Sequence, residues 1–216
     1  MFAAECWHTQ CYFTNAMKSH RWITCLTLLS VLGLSRAAST AAPVIMVSVT
    51  DQRMAIVDNG VLVGHYPVST SKYGLGDRPG TYATPLGTLE VATKVGDGAP
   101  MGAVFKGQRF TGEILRPNSP GRDPIVTRIL HLRGLDANNS SAFDRGIYIH
   151  GTPEESKIGR PASYGCIRMR SRDVVRVFDT VPVGTKIEIV NFSLRRAMVE
   201  WATKQPIKHE RSLAAN

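Results

Sequence analysis

Short runs of β-branched and apolar residues, each ended by turn-forming residues, are the feature that most restricts how this chain can fold. Residues 44–49 and 54–57 are two such runs, and residues 61–66 form a third. The Asn59-Gly60 pair before the third run is a strong signal for a tight β-hairpin. Runs joined this closely predict an antiparallel meander, because parallel strands need a long crossover connection. We therefore predict a mainly β fold and not a doubly wound parallel sheet.

Further strands are predicted at residues 88–93, 125–132, 147–150 and 185–190. Residues 96–124 hold many glycines and prolines and are predicted to form long loops. Alternation in the short strand 147–150 places Ile147 and Ile149 on one face and Tyr148 and His150 on the other.

A short helix is predicted near the C-terminus, with Ser171 as its cap and with Val174, Phe178 and Val181 on its apolar side. The basic residues after the last strand are predicted to form a second short helix and then a tail. The predicted organisation is a leader at residues 1–41, one mainly β domain at 43–191 and a basic C-terminal tail at 192–216.

The N-terminus has the pattern of a secretory signal peptide. Residues 22–34 are uncharged and largely apolar, Lys18 and Arg21 precede them, and Ser39 and Ala41 mark a cleavage site. The apolar run is short for a transmembrane helix, which needs about 20 residues, although an uncleaved membrane anchor stays an alternative. We expect export to the periplasm or cell envelope.

The first 16 residues fit this signal poorly, because they contain no lysine or arginine. Met17 opens the basic segment MKSHRW, which is a better start for a signal peptide. We therefore predict that translation starts at Met17.

The formal net charge of +9 over 216 residues favours contact with anionic polymers or surfaces. The sequence lacks zinc-finger spacing and a basic stripe with interleaved aromatics, so we do not expect nucleic-acid binding. The histidines His65, His131 and His150 lack a metal-ligand spacing, so we expect neither a metal nor another cofactor. A membrane is expected as a partner only through the signal peptide before cleavage.

Cysteine usage singles out one residue. Cys6, Cys11 and Cys25 precede the predicted cleavage site, so the mature chain keeps Cys166 alone. Cys166 then has no intramolecular disulfide partner in a compartment where disulfides form readily. By this argument the thiol is either buried and inert or retained for its chemistry.

Cys166 and His150 together offer the parts of a nucleophilic cysteine site. His150 ends a predicted strand, and Cys166 follows Gly165, where the backbone can approach a substrate closely. Backbone N–H groups at the cysteine could stabilise an oxyanion, and an imidazole in contact would lower the thiol pKa. The spacing of His150 and Cys166 does not by itself distinguish a catalytic pair from two structural residues, because a single strand histidine or a buried cysteine is often structural.

Two segments resemble a known family signature: residues 148–152 (YIHGT) and 163–169 (SYGCIRM). They are similar to the His-Gly-Thr and Ser/Thr-His-Gly-Cys segments of the L,D-transpeptidase catalytic domain, also called the YkuD-type domain. Residues 68–72 (VSTSK) and 84–88 (TPLGT) resemble two further stretches of that domain. The resemblance implies a β-sandwich or barrel with one or two short helices and long loops.

The resemblance also implies roles in catalysis. Cys166 would be the nucleophile, and His150 would act first as general base and then as general acid. The backbone carbonyl of Gly151 would orient the imidazole, because glycine has no side chain to offer. The N–H groups of Gly165 and Cys166 would polarise the scissile carbonyl.

Three further residues are predicted to contact substrate. Arg168 would bind a carboxylate of the peptide stem, with a structural ion pair as the alternative. Ser163 would hydrogen-bond near the nucleophile, unless it is an ordinary loop serine. Tyr164 stands where the family usually has histidine, and it cannot carry a positive charge near neutral pH. This departure bears on substrate choice.

The implied reaction is the transfer of a peptidoglycan tetrapeptide stem from its terminal D-Ala to an amine, through a thioester on Cys166. The amine would belong to another stem, giving a 3→3 cross-link, or to a lipoprotein lysine. Two alternatives remain: an L,D-carboxypeptidase that uses water as acceptor, and a peptidoglycan-binding module without turnover.

Overall fold

The computed structural model describes residues 42–205. The predicted signal peptide, the start at Met17 and residues 206–216 of the predicted basic tail lie outside these described residues.

The described residues form ten strands and two α-helices. The strands are β1 (Val44–Ser48), β2 (Arg53–Asp58), β3 (Val61–Pro67), β4 (Gly87–Val95), β5 (Ala103–Lys106), β6 (Arg109–Ile114), β7 (Ile125–Gly134), β8 (Tyr148–Gly151), β9 (Ile167–Met169) and β10 (Lys186–Val190). The helices are α1 (Ser171–Thr180) and α2 (Leu194–Lys204), and single 3-10 turns cover Ala137–Asn139 and Glu155–Lys157.

All ten strands belong to one mixed sheet, in the order β3-β2-β1-β10-β4-β7-β5-β6, with β8 pairing to β7 and β9 pairing to β8. The pairs β1–β10 and β8–β9 are parallel, and the other pairs are antiparallel. The antiparallel β1-β2-β3 meander confirms the hairpin predicted at Asn59-Gly60. The prediction of a mainly β fold is confirmed.

Strand β1 is buried on both faces, which explains its unbroken apolar sequence. Ile45 and Val47 enter the main core, which also receives the apolar side of α1. Val44 and Met46 point the other way, into a smaller cluster closed by Leu194 and other residues of α2. The C-terminal helix therefore covers the outer face of β1 and β2.

The prediction of long loops at residues 96–124 is wrong in part, because β5 and β6 form a hairpin there. Gly107 and Gln108 connect the two strands with φ angles of 56° and 62°. Positive φ at both central residues is the geometry of a type I′ turn, which suits a two-residue hairpin loop. The glycine and proline content of residues 96–124 does not predict this hairpin. Strand β6 is mostly exposed, so its sequence has no alternating apolar pattern.

Helix α1 begins at Ser171, so the prediction that this serine is the cap is wrong. Arg170 is the N-cap residue, and the Ser171 N–H donates to the Glu155 carboxylate at 2.8 Å. At the other end, the Lys94 ammonium donates to the carbonyls of Phe178 and Val181 at 2.6 and 2.9 Å. Both helix ends are thus satisfied by side chains from outside the helix.

Within residues 42–205, no helix is both long enough and apolar enough to cross a membrane.

Candidate active site

The two predicted site segments meet through the parallel strands β8 and β9. In their register, Ile149 pairs with Ile167 and His150 pairs with Arg168. Both isoleucines lie in the main core. Side chains alternate along a strand, so His150 and Arg168 point to the opposite face. Cys166 directly precedes β9 and therefore lies beside the start of β8.

The His150 imidazole is buried and held in one orientation. Its Nδ1 lies 2.8 Å from the Gly151 carbonyl oxygen. A carbonyl can only accept, so Nδ1 carries the proton and Nε2 is left as an acceptor. Burial lowers the pKa of His150 to about 4, against the opposing effects of this hydrogen bond and of the Asp123 carboxylate. The ring is therefore neutral near pH 7, as a general base must be.

Gly151 lies where two backbones approach closely. A Cβ at this position would lie 2.6 Å from the Val126 carbonyl oxygen and 3.1 Å from the Thr127 Cβ. The pairing of β7 with β8 shifts register here, and Thr127 has a φ of 73°, which is uncommon for a β-branched residue. Only glycine fits next to His150 in this geometry. Its role in orienting the imidazole stays a prediction, supported by the 2.8 Å contact.

Cys166 is half-buried and has a free thiol. Its Sγ donates to the Gly146 carbonyl oxygen at 3.4 Å. Burial raises the pKa of the Cys166 thiol to about 11, although hydrogen bonding from the Tyr148 backbone and the positive charge of Arg145 act to lower it. The pKa of the thiol is raised overall, because removing the sulfur from water has a larger effect than the groups that lower it. The resting pair is a thiol and a neutral imidazole.

The turn before the cysteine is held by Ser163, which is buried. Its hydroxyl donates to the Cys166 carbonyl at 2.6 Å and accepts from the Gly165 N–H at 3.2 Å. The predicted contact of Ser163 near the nucleophile is therefore to the backbone. The Gly165 N–H is already engaged, so it is not free to polarise a substrate carbonyl, and the expectation for Gly165 is corrected. Gly165 instead provides a φ of 117° at the turn.

Arg168 is 2% exposed and forms ion pairs with Asp123 and Glu154, the latter at 3.1 Å. Its second terminal nitrogen lies 3.4 Å from the Ser69 hydroxyl. Asp123 also accepts from the Thr152 hydroxyl. A guanidinium that is buried and already paired with two carboxylates cannot also receive a substrate carboxylate. The expectation of substrate binding is therefore corrected to the alternative, a structural ion pair.

Arg145 is a further buried cation that the sequence did not single out. Its guanidinium pairs with Asp77 at 2.7 Å, and both side chains are less than one tenth exposed. It also donates to the backbone carbonyls of Gly76, Thr81 and Ala83 at 2.7 to 3.2 Å. Arg145 thus fixes residues 76–83, whose end lies against the nucleophile turn at Gly165.

Tyr164 is exposed and lies in a group of three aromatic rings. Tyr73 and Tyr82 are the other two, and the three ring centroids are 5.4 to 5.6 Å apart. The Lys72 ammonium lies 4.6 Å from the centre of the Tyr164 ring. We call Tyr73, Tyr82 and Tyr164 the tyrosine cluster.

Asp123, Arg145, Tyr73 and Tyr82 carry no local pattern in the sequence that predicts a place in the site. Asp123 lies in the glycine- and proline-rich stretch and Arg145 in a polar loop without periodicity. Within residues 42–205, no group of three or more His, Cys, Asp or Glu side chains is placed to hold a metal ion.

A family model of the YkuD type, the L,D-transpeptidase catalytic domain, matches residues 42–189. The chain belongs to the L,D-transpeptidase family. YqjB of Bacillus subtilis (strain 168), which carries the L,D-transpeptidase name, is 29% identical over 150 residues, or 69% of this chain and 72% of YqjB. YkuD of Bacillus licheniformis is 51% identical over 79 residues, or 36% of this chain and 48% of that relative. Membership in the L,D-transpeptidase family supports an enzyme of this type.

Solved structures of L,D-transpeptidases are more distant. An X-ray structure of an L,D-transpeptidase from Mycobacterium tuberculosis H37Rv is 19% identical, with a TM-score of 0.46, over 69% of this chain and 58% of that one. The imipenem complex of LdtMt1 is 21% identical, with a TM-score of 0.43, over 69% of this chain and 59% of that one. This chain thus spans less than two thirds of these two solved chains.

Proposed function

We propose that this L,D-transpeptidase is an exported cysteine acyltransferase that acts on peptidoglycan tetrapeptide stems. One observation carries the proposal. Within the family domain, a neutral His150 with a free Nε2 lies on the strand next to Cys166, the single free thiol of the described residues. A nucleophile with an adjacent, oriented base is the arrangement that acyl transfer requires.

In the first half of the reaction, Cys166 Sγ attacks the carbonyl that joins the third stem residue, a diamino acid, to the terminal D-Ala. The thiol proton passes to His150 Nε2 as the carbon–sulfur bond forms. The carbon–nitrogen bond then breaks, and the D-Ala amine takes the proton from His150 and leaves. The stem remains bound to Cys166 as a thioester, and the Cys166 N–H is the proposed oxyanion donor.

The state of the resting pair determines how the first step proceeds. The thiol pKa is raised to about 11 and the imidazole pKa is lowered to about 4, so a preformed thiolate–imidazolium pair is unfavourable. Proton transfer must therefore accompany attack on the carbonyl, which is general base catalysis. The carbonyl of Gly151 holds the imidazole in the required tautomer.

In the second half, an amine attacks the thioester, His150 takes the proton of the amine, and the Cys166 thiol is restored. We propose an amine of a second stem as acceptor, giving a 3→3 cross-link. A lipoprotein lysine is chemically equivalent at this step. Water in place of an amine would make the protein an L,D-carboxypeptidase.

Mass spectrometry of purified tetrapeptide-stem muropeptides, incubated with the protein, tests this proposal. We expect loss of D-Ala together with 3→3 dimers. Cys166→Ala should abolish both products, and a melting curve close to that of the wild type would show that it is folded. Trimmed monomers without dimers would support the carboxypeptidase. No product, and no covalent adduct on Cys166, would support a binding module without turnover.

Export is a separate part of the proposal and rests on the signal-peptide pattern before residue 42. The mature protein, isolated from the cell envelope, should begin at Ala42. The precursor should begin at Met17, so a tryptic peptide from the first 16 residues would contradict that start. A protein that keeps the leader in the membrane fraction would support the uncleaved anchor.

A further inference from the structure

The tyrosine cluster presents a large aromatic surface to solvent. Tyr73, Tyr82 and Tyr164 are 53%, 58% and 54% exposed, yet each ring contacts the other two. Three rings gathered at the surface bury little of their apolar area. Exposed aromatic groups of this kind mark binding surfaces more often than chance, since tyrosine gives contact area at a low cost in conformational entropy.

Hydrogen bonds of two buried serines, Ser71 and Ser163, fix the backbone under these rings. The Ser71 hydroxyl donates to the Tyr82 carbonyl at 2.5 Å and accepts from the Tyr73 N–H at 2.9 Å. The Lys72 N–H donates to the Ser163 carbonyl at 3.2 Å, which ties the same segment to the residue before Tyr164. The three rings are therefore held together before any ligand arrives, which lowers the entropy lost on binding.

Lys72 adds a positive charge to this surface. Its ammonium lies 5.1 Å from the centre of the Tyr73 ring, 4.6 Å from that of Tyr164 and 3.4 Å from the Tyr164 hydroxyl oxygen. In the part of the chain that the structure describes, no carboxylate forms an ion pair with Lys72. The hydrogen bond to Tyr164 raises the pKa of Lys72, so the ammonium stays charged.

This charged aromatic surface adjoins the nucleophile. Tyr164 precedes Cys166 by two residues. On the other side, the carbonyl of Ala83, which follows Tyr82, would lie 3.2 Å from a Cβ placed on Gly165. A peptide bound at Cys166 therefore has the Lys72 ammonium and the three rings within reach of its neighbouring residues.

We propose that Lys72 and the tyrosine cluster form a subsite for a free carboxylate of the stem peptide, with the aliphatic part of that residue lying on the tyrosine rings. The subsite rests on the proposed function, because it names what the active site recognises in its substrate. Arg168 cannot fill this role, since Asp123 and Glu154 already neutralise it. Lys72 contacts Tyr164, two residues before Cys166, and forms no ion pair among the described residues, so its charge remains available to a substrate.

Two carboxylates belong to the residues on either side of the bond that Cys166 attacks: that of the terminal D-Ala and that of the side chain of a dicarboxylic third residue. Two substrates separate them, each with one of these carboxylates converted to an amide. For the wild type, we expect kcat/KM to fall about tenfold for the amide that removes the recognised carboxylate, and by less than about twofold for the other. Equal values for all three substrates would overturn the proposal.

Lys72→Met tests the cation itself, because it keeps an unbranched side chain over the rings. The preference for the carboxylate should fall from about tenfold to near one, and Lys72→Arg should retain it. Lys106→Met removes an exposed lysine elsewhere and controls for the change in net charge, so its preference should match the wild type. A preference that persists in Lys72→Met would overturn the subsite.

Binding measurements keep this test independent of turnover. Calorimetry with Cys166→Ala measures how the uncleaved stem peptide and its two amides bind, with and without Lys72→Met. If the wild type turns over no substrate but the Lys72-dependent preference appears in binding, the proposed function fails and the subsite stands. If turnover is observed without that preference in binding or kinetics, the subsite fails and the proposed function stands.

Discussion

The Thr84 hydroxyl donates a 2.9 Å hydrogen bond to the carbonyl of Gly165, the residue directly before Cys166. The same hydroxyl accepts from the Ser71 N–H at 3.0 Å. Thr84 is fully buried, so both bonds form away from water. One side chain thus joins the nucleophile turn to the segment that carries Lys72 and Tyr73.

Thr84→Val should therefore loosen the nucleophile turn. The substitution keeps the shape of the side chain but leaves the Gly165 carbonyl without this donor, at a cost of about 1–3 kcal/mol in the free energy of unfolding. We expect kcat to fall as well, because Cys166 loses its fixed position. Thr84→Ser keeps the hydroxyl, so it should retain most of the stability and most of kcat. Chemical denaturation and steady-state kinetics measure the two effects, and equal behaviour of the Thr84→Val and Thr84→Ser proteins would contradict the role of the hydroxyl.

The pH dependence of activity follows from the state of the catalytic pair. Protonated His150 cannot accept the thiol proton, so kcat/KM should fall as the pH drops through about 4. Between about pH 5 and 9 we expect little change, because the thiol stays protonated and the imidazole neutral. A pH-rate profile measures this. An acidic limb near the ordinary histidine pKa would instead show that the pKa of His150 is not depressed in the active site.

The free energy of unfolding should also depend on pH, through the depressed pKa of His150. The pKa of His150 is depressed in the folded protein, so below about pH 6.5, the ordinary histidine value, the unfolded chain binds more protons at this residue. The contribution of His150 to the free energy of unfolding therefore decreases as the pH falls from about 6.5 toward about 4. Urea denaturation of both proteins over this pH range should show that the free energy of unfolding falls less in His150→Phe than in the wild type. Parallel curves for the two proteins would contradict the depressed pKa.

Gly151→Ala should destabilise the protein and lower its activity together. Its Cβ would lie 2.6 Å from the Val126 carbonyl, so the backbone of β7 or β8 must move. We expect a loss of about 2 kcal/mol in the free energy of unfolding and a larger fall in kcat than in substrate affinity. Gly60→Ala, in the distant hairpin turn, strains a positive φ without crowding and should lower stability alone. Unchanged kcat in Gly151→Ala would argue against the orienting role.

Arg168→Met tests whether this arginine is structural. Removing the guanidinium leaves Asp123 and Glu154 without their buried partner, so we expect the free energy of unfolding to fall by about 3 kcal/mol. Lys186→Met breaks an exposed pair with Glu90 and should cost less than about 1 kcal/mol. A stable Arg168→Met protein whose KM alone is raised would support the substrate-binding role instead.

The sequence was sufficient for the features that neighbouring residues encode. The Asn59-Gly60 turn, the apolar alternation of β8 and the short helix with Val174 and Phe178 on its apolar side all depend on local patterns, and the structure contains each of them. The β5–β6 hairpin was missed, because its turn contains Gln108 and its outer strand has no apolar face to produce a pattern.

Tertiary structure decided the chemistry of the site. Sequence alone determined which segments carry His150 and Cys166, since their motifs are contiguous. It could not fix the direction of the thiol pKa, because that direction depends on how much water the fold removes from the sulfur. It could not assign Arg168 either, because the partner Asp123 lies 45 residues away along the chain. Desolvation and long-range ion pairing are properties of the packed chain, so they cannot be predicted from a short stretch of neighbouring residues.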